Sequence, residues 1–461
     1  MLCSYRALVA LPSLVAVNGS SRWSLSIDSN NITSIPGGSL PPNLTNIDMS
    51  DNPVATIDDN AFEESTTTLS SLYFSYVRFT RFPDAFRHLL ALNSLSITSA
   101  NIRVWNDDAW VNIGGTLQTL QLNNVGITAW PGWSGHLKQL ENLVIANCYF
   151  SSIPDGALDS VAKSLESLSL NNNRLTMVPK ALSNLNSLQI LFLQNNHIAD
   201  LRWLPQNSKL NMLSLSYNYI WNASQLSEVL RPYNHSLYSF DIDNNHLASI
   251  PDIPYLNNVP ALELTHNRIS DSVSGSLSSN VIILGLSYNS FPFVPNILFN
   301  MLPINDINLS YNAISAIRDT DFHKSITSID LRYNLITHLT DTSFPENFGL
   351  LDLLLNNNPL SMISSVTLQN LPSLKYLSLQ HTQITRLPVG LAYLRSLYTI
   401  DVSDNTHLVC TCAESSLAGW VTKMDPMMVL GGCGQTSVYE FFSQLSPSCP
   451  TSGDTVSSQS S

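Results

Sequence analysis

Only 12% of this 461-residue chain is charged, against roughly 25% in a usual soluble domain, and Ser, Asn and Thr supply its polarity instead. Its net charge of −13 sets aside a nucleic-acid partner, whose phosphates need a basic footprint, so a charged partner should be basic. It contains no apolar run of about eighteen residues, the length a membrane-spanning helix requires. Two readings fit residues 1–21. Arg6 followed by Ala7 to Val17 has the charge and apolar run of a signal-like segment, though Pro12 interrupts it and no small-x-small cleavage site follows. The stretch Leu8-x-x-Leu11-Pro12-Ser13-Leu14-x-x-Val17 also matches Leu368-x-x-Leu371-Pro372-Ser373-Leu374-x-x-Leu377, which reads as a truncated repeat.

From Arg22 to Asn405 the pattern L-x-x-L-x-L-x-x-N-x-I recurs seventeen times. Clear copies are Leu165-x-x-Leu168-x-Leu170-x-x-Asn173 and Leu188-x-x-Leu191-x-Leu193-x-x-Asn196. The ninth position falls at Asn30, Asn52, Val77, Ala100, Val125, Cys148, Asn173, Asn196, Asn218, Asn245, Asn267, Asn289, Asn312, Asn334, Asn358, Thr382 and Asn405, a mean step of about 23 residues. A fixed period of this size marks a solenoid, whose units bury their apolar faces only by stacking on one another. Positions four and six alternate with polar residues, the mark of a short strand with one buried face. The ninth-position Asn stands where the chain leaves the strand, and its carboxamide can donate to and accept from backbone groups that the turn leaves unpaired.

Two stretches depart from the pattern. Units three to six place Val77, Ala100, Val125 and Cys148 in the Asn column. This is either drift, with backbone or water satisfying the turn, or a local change of curvature. Trp105, Trp110, Trp130 and Trp133 lie in the same region, and Trp105 and Trp130 read as core filling. Cys148 reads as a buried thiol. The longest step, Asn218 to Asn245, inserts Trp221 to Ser236, which reads as a loop pointing away from the sheet.

Beyond the array, Cys410, Cys412, Cys433 and Cys449 gather within residues 406–449, as expected of a disulfide-stapled cap in an oxidising compartment. Zinc is the competing reading, opposed by a Cys-x-Cys spacing without a nearby His pair. Residues 450–461 are Ser/Thr-rich and read as a flexible tail. N-x-S/T sequons at Asn18, Asn31, Asn43, Asn222, Asn234 and Asn308 point to a glycoprotein.

On the repeat and the segment Asn405-Thr406-His407-Leu408-Val409-Cys410-Thr411-Cys412, with Leu417-x-x-Trp420, Cys433 and Cys449 following, the chain resembles extracellular leucine-rich-repeat proteins, especially receptor ectodomains. The resemblance covers Arg22 to about Cys449. It implies an α/β solenoid: a leucine-rich-repeat horseshoe of about 17 repeats, with a parallel β-sheet on the concave face and an irregular or helical convex side. In that family the first cap cysteine pairs with the third and the second with the fourth, which implies Cys410 with Cys433 and Cys412 with Cys449. Thr406 stands where the family usually has Pro, and the stretch around Cys433 fits the family poorly.

Stacked strands should align positions two, three, five, seven and eight of every unit into a wall on the order of 80 Å long. Its charges are acidic (Asp28, Asp48, Asp51, Glu141, Glu166, Asp241, Asp243, Glu263, Asp306, Asp330, Asp352, Asp401, Asp404) against basic Arg332 and Lys375. A wall of one sign selects an oppositely charged partner, although solvated strand residues of an acidic protein would look the same. Position eight reads Tyr288, Tyr311 and Tyr333 in successive units, flanked by Ile282, Ile283 and Leu354, which suggests either an interface hot spot or a cross-strand ladder that stabilises the sheet. Asn308 lies at position five of the middle strand, where a glycan would cover the column. His266 and His381, also at position eight, read as surface residues.

No phosphate loop, H-E-x-x-H, G-x-S-x-G or metal-ligand spacing occurs outside the cysteine cluster, so neither catalysis, a cofactor nor a metal is expected. The expected function is extracellular recognition of a protein or peptide, basic if charged, on the concave wall, as a receptor ectodomain or a fragment of one that works with a co-receptor. A secreted inhibitor or a matrix or adhesion protein is the alternative. The expected contacts are Tyr288, Tyr311, Tyr333, Asp306, Asp330, Arg332, Asp352 and Ile282.

Overall fold

A computed structural model describes residues 3–12, 22–206, 209–300 and 304–449. Contacts divide it into two units, the first running to Ile220 and including Glu228–Asp241, the second comprising Trp221–Ser227 and the chain from Ile242 onward.

In the first unit ten short strands, from Trp23–Ser26 to Ser239–Asp241, pair in parallel, each with the next repeat. Because every strand enters at the same repeat position, position four stacks on itself: Leu72, Leu95, Leu120, Leu143, Leu168, Leu191, Leu213 and Phe240 form one buried column. The second unit repeats the design with eight strands, from Ala261–Glu263 to Val429–Leu430, whose column runs Leu262, Leu284, Ile307, Ile329, Leu353, Leu377, Ile400 and Val429. Each of these side chains removes most of its apolar area from water, worth about 1.5–3 kcal/mol.

The Asn column bonds neighbouring units together. Asn196 donates through Nδ2 to Leu193 O at 3.0 Å in its own unit and to Leu170 O at 3.0 Å in the one before, while its Oδ1 accepts the Leu175 N–H at 3.0 Å. Asn334 does the same with Leu331 O, Leu309 O and the Ile314 N–H. Across the four departing units the backbone supplies these bonds directly: Ser99 N–H donates to Asn123 O at 2.9 Å, Ala100 N–H to Asn124 O at 3.0 Å and Ile102 N–H to Val125 O at 3.2 Å. The strands there are five residues long rather than three, as in Ser94–Thr98 against Ile190–Phe192. Val77, Val125 and Cys148 fill their corners as buried apolar groups, and burial pushes the Cys148 thiol pKa up. Asn173, the first Asn after the break, has no partner for its Oδ1, since the corner it faces is that of Cys148.

Behind these strands an aromatic cluster fills the core. Trp110 lies on Trp133 at 3.9 Å and on Phe82 at 4.7 Å, with Trp105 packed against all three. Trp130 packs edge-on to Phe150 and donates to Ser134 Oγ at 2.9 Å.

Trp221 to Ser236 is not a projecting loop. It forms the helix Ala223–Val229 and a 3-10 turn, Arg231–Tyr233, and buries Leu226, Leu230 and Tyr233 completely. These residues recur at helical spacing, so the extra length makes an amphipathic helix with an apolar side to cover.

Residues 3–8 run beside the first repeat with the bonds of a further repeat exit. Asn30 donates to Cys3 O at 2.9 Å and accepts the Leu8 N–H at 3.0 Å, as Asn52 does with Ile27 O and the Ile32 N–H. The rest of the 1–21 segment, apart from residues 9–12, and all of 450–461 lie outside the described residues.

The carboxy-terminal end is closed by a small cap. Two disulfides, Cys410–Cys433 and Cys412–Cys449, each with Cα atoms 5.4 Å apart, tie it together. Val429–Leu430 adds a last strand to the sheet, while Leu417, Val421, Val438 and Phe442 are buried beneath. Thr411 and Glu414 cap the 3-10 helix Cys412–Leu417 reciprocally, and Arg386 of the array reaches the buried Glu414 at 3.1 Å. Among the described residues, no helix is long and apolar enough to cross a membrane.

Candidate binding face

In all seventeen units the residue at position eight, one before the Asn column, is left-handed, with φ between 51° and 59°. A residue with a Cβ pays about 1–2 kcal/mol for this conformation, and Asn, Asp and His tolerate it best. Six units accordingly use Asn: Asn124, Asn147, Asn172, Asn195, Asn244 and Asn357. Five tyrosines, Tyr76, Tyr217, Tyr288, Tyr311 and Tyr333, accept the same backbone without that tolerance, and the last three stand in consecutive units. The corner therefore does not account for tyrosine; the side chain must.

Those three rings and His266 form one face-to-face stack on the second unit. Successive centroids, His266 to Tyr288 to Tyr311 to Tyr333, are each 4.1 Å apart, with planes 9–11° from parallel. The spacing follows from neighbouring strands of a sheet, which lie about 4.8 Å apart. The adjacent Tyr288 phenol, then burial and the Tyr333 phenol, push the Tyr311 phenol pKa well above its usual value. Tyr288 and Tyr333 remain 42% exposed. Since the inner ring faces are spent on one another, the stack offers a partner ring edges, hydroxyls and its two end faces. His266 was legible only as a surface histidine; its membership follows from its place in the column.

Beside the stack Ile282 and Ile283 are exposed, 39% and 46%, and Leu354 is half-buried. The acidic residues separate into two kinds. At position five, Asp48, Asp330 and Asp401 each accept the backbone N–H two residues on, from Ser50, Arg332 and Ser403, at 2.9 to 3.0 Å. This is an Asx turn that stabilises the strand exit. Asp330 is 8% exposed and also takes a bidentate grip from Arg332, with Nε at 2.9 Å and Nη2 at 2.6 Å. Asp330 is thus bound to its own strand exit and to Arg332, whose side chain stays 41% exposed. At position three, Asp306 is exposed and Asp352 half-buried. Burial, and then the charge of Asp306, raise the Asp352 pKa above the usual carboxylate value, with Lys375 opposing. The Glu263 carboxylate lies over Gly285, where a Cβ would meet its Oε2 at 1.7 Å.

Asn308 shares the Asx arrangement: its Oδ1 accepts the Ser310 N–H at 3.0 Å and the Ser310 hydroxyl at 2.7 Å, and Ser310 is buried. Among the other sequons, Asn31 is exposed and Asn43 and Asn234 are half-buried. Asn222 caps its helix by accepting the Gln225 N–H at 3.0 Å. Asn18 lies outside the described residues.

The profile of the family described as leucine rich repeat matches residues 138–198, 324–384 and 348–406. This chain has the leucine-rich-repeat fold. Solved structures of that fold align over most of it. The Drosophila Toll–Spatzle complex aligns with a TM-score of 0.59 and 20% identity, over 86% of this chain and 55% of that one. The TLR13–ssRNA13 complex gives a TM-score of 0.56 and 19% identity, over 90% and 72% respectively. A leucine-rich-repeat protein of Leptospira interrogans, LIC12759, gives 0.53 and 23%, over 74% and 83%. No curated protein matches the sequence. The two cysteine pairs at the end of the array fit the cap that such proteins carry.

Proposed function

We propose that this chain is an extracellular recognition module that binds a protein or an extended peptide on the sheet face of its second unit. The observation that carries this reading is the run of three tyrosines held left-handed, where six other units use the less strained Asn. Backbone strain retained in consecutive units, which ring stacking does no more than offset, points to a task for the side chain. The strands fix these rings in register before a partner arrives, so binding pays little ordering cost. Ile282 and Ile283 supply apolar area at the edge of the column, and Asp306 and Asp352 select basic side chains. Two disulfides agree with an oxidising, extracellular setting. Solved proteins of this fold appear with protein and with RNA partners, and a net charge of −13 favours the protein class here.

Selection of a displayed random peptide library on the disulfide-intact chain tests the reading. Enriched sequences should be basic, and should bind the Asp306→Asn/Asp352→Asn variant at least about tenfold more weakly. Enrichment of acidic or neutral sequences indifferent to that variant would refute the assignment.

A further inference from the structure

Where the cap meets the last turns of the array, within the second unit, an open groove of about 820 Å³ separates them. Its size falls within the range of ligand pockets. Trp420, fixed by donating its indole N–H to Leu394 O at 3.2 Å, and Tyr398, 61% exposed, both line it. Met424 and Leu397 add apolar lining.

The charge of the groove runs against that of the molecule. Arg395 and Lys423 both line it, in a chain with 21 basic against 34 acidic residues. Neither forms an ion pair with a described residue, whereas on the sheet face Arg332 is held by Asp330 and Lys375 acts on Asp352. Asp425, which also lines the groove, accepts the Met427 N–H at 2.9 Å and so serves its own turn. Gly419 also lines the groove, and an added Cβ there would meet nothing within 4 Å.

We propose that this groove is a second binding site, for an acidic peptide segment that also carries an apolar or aromatic side chain. Its carboxylates would meet Arg395 and Lys423, and its apolar group would lie against Trp420 and Met424. A sulfated sugar would satisfy the two cations and leave the apolar lining unused, so the mixed lining favours peptide. The site is opposite in sign to the sheet face, so an acidic segment repelled there is drawn here.

Labelled peptides alternating Asp or Glu with Leu or Tyr, beside counterparts with Asn or Gln, are titrated onto the disulfide-intact chain. The acidic set should bind at least about tenfold tighter than the amide set. That preference should be lost in Lys423→Glu and in Gly419→Phe, which fills the groove without touching the fold, and kept in Tyr311→Asn. Circular dichroism and non-reducing mass confirm that each variant is folded. Equal binding of acidic and amide peptides, or undiminished binding by Gly419→Phe, overturns the proposal. So does displacement of the acidic peptide by a sulfated oligosaccharide of higher affinity, which would make the groove a carbohydrate site.

Discussion

The rings of Tyr311 and Tyr333 lie face to face with centroids 4.1 Å apart, while the backbone of each holds φ at 54°. Stacking returns about 0.5–1.5 kcal/mol per pair and the left-handed corner takes back about 1–2, so the two nearly cancel. A column built only for stability would gain little over asparagine.

Tyr311→Asn should therefore leave stability within about 1 kcal/mol of the parent, since it loses stacking and gains a residue suited to the corner. Tyr311→Ala loses two stacked pairs and keeps the strained Cβ, and should cost about 1–3 kcal/mol. Urea unfolding of the two variants checks the order; equal losses would show that the corner does not discriminate.

The Asn column makes a graded prediction. Asn196→Ala orphans the buried Leu175 N–H, while Leu170 O keeps Asn173 Nδ2 and Leu193 O keeps Asn218 Nδ2, and should cost about 1–3 kcal/mol. Asn173→Ala orphans no N–H, because Asn173 Oδ1 has no partner to lose, and Leu170 O keeps Asn196 Nδ2, so it should cost roughly 1 kcal/mol less. Hydrogen exchange should quicken at Leu175 in the first variant. The Phe150 amide should be unaffected in the second.

Much of this fold was legible in the sequence, and the limits were physical. Leu191, Leu193 and Asn196 announce strand and corner because burial and hydrogen bonding restrict those positions to few residue types. The left-handed corner was hidden, because it is a backbone angle and its column mixes Asn, Ser, Asp, His and Tyr. Asp330 looked like an open charge, since sequence does not show that a carboxylate is bound to its own strand exit. Trp221 to Ser236 was read by length as a loop, although Leu226, Leu230 and Tyr233 at helical spacing were the signal to weigh.

Asp352 gives the sheet face a pH dependence of known sign. Its folded pKa lies above the usual value of 3.8, so at neutral pH its ionised form opposes folding. That penalty is present above the folded pKa and fades as pH falls through it towards 3.8. Asp352→Asn should be slightly more stable than the parent at neutral pH, and the difference should vanish in acid. Unfolding curves across pH 3–7 measure it; a variant less stable at neutral pH would contradict the sign.

Asn308 should be unmodified when the chain is expressed through a secretory pathway. Its carboxamide and the Ser310 hydroxyl bond each other within the strand, and Ser310 is buried, so the sequon is closed once the strand forms. Peptide mapping with intact masses should find Asn308 bare while the exposed Asn31 carries glycan. A glycan at Asn308 would cover the tyrosine column and argue for another face.

The most direct test is the affinity of the Tyr288→Asn/Tyr311→Asn/Tyr333→Asn variant for peptides selected on the parent chain. Asparagine suits every one of these corners, so the variant should fold as the parent does, and binding should fall by at least about a hundredfold. A folded variant that binds as tightly as the parent would contradict the assignment of this face.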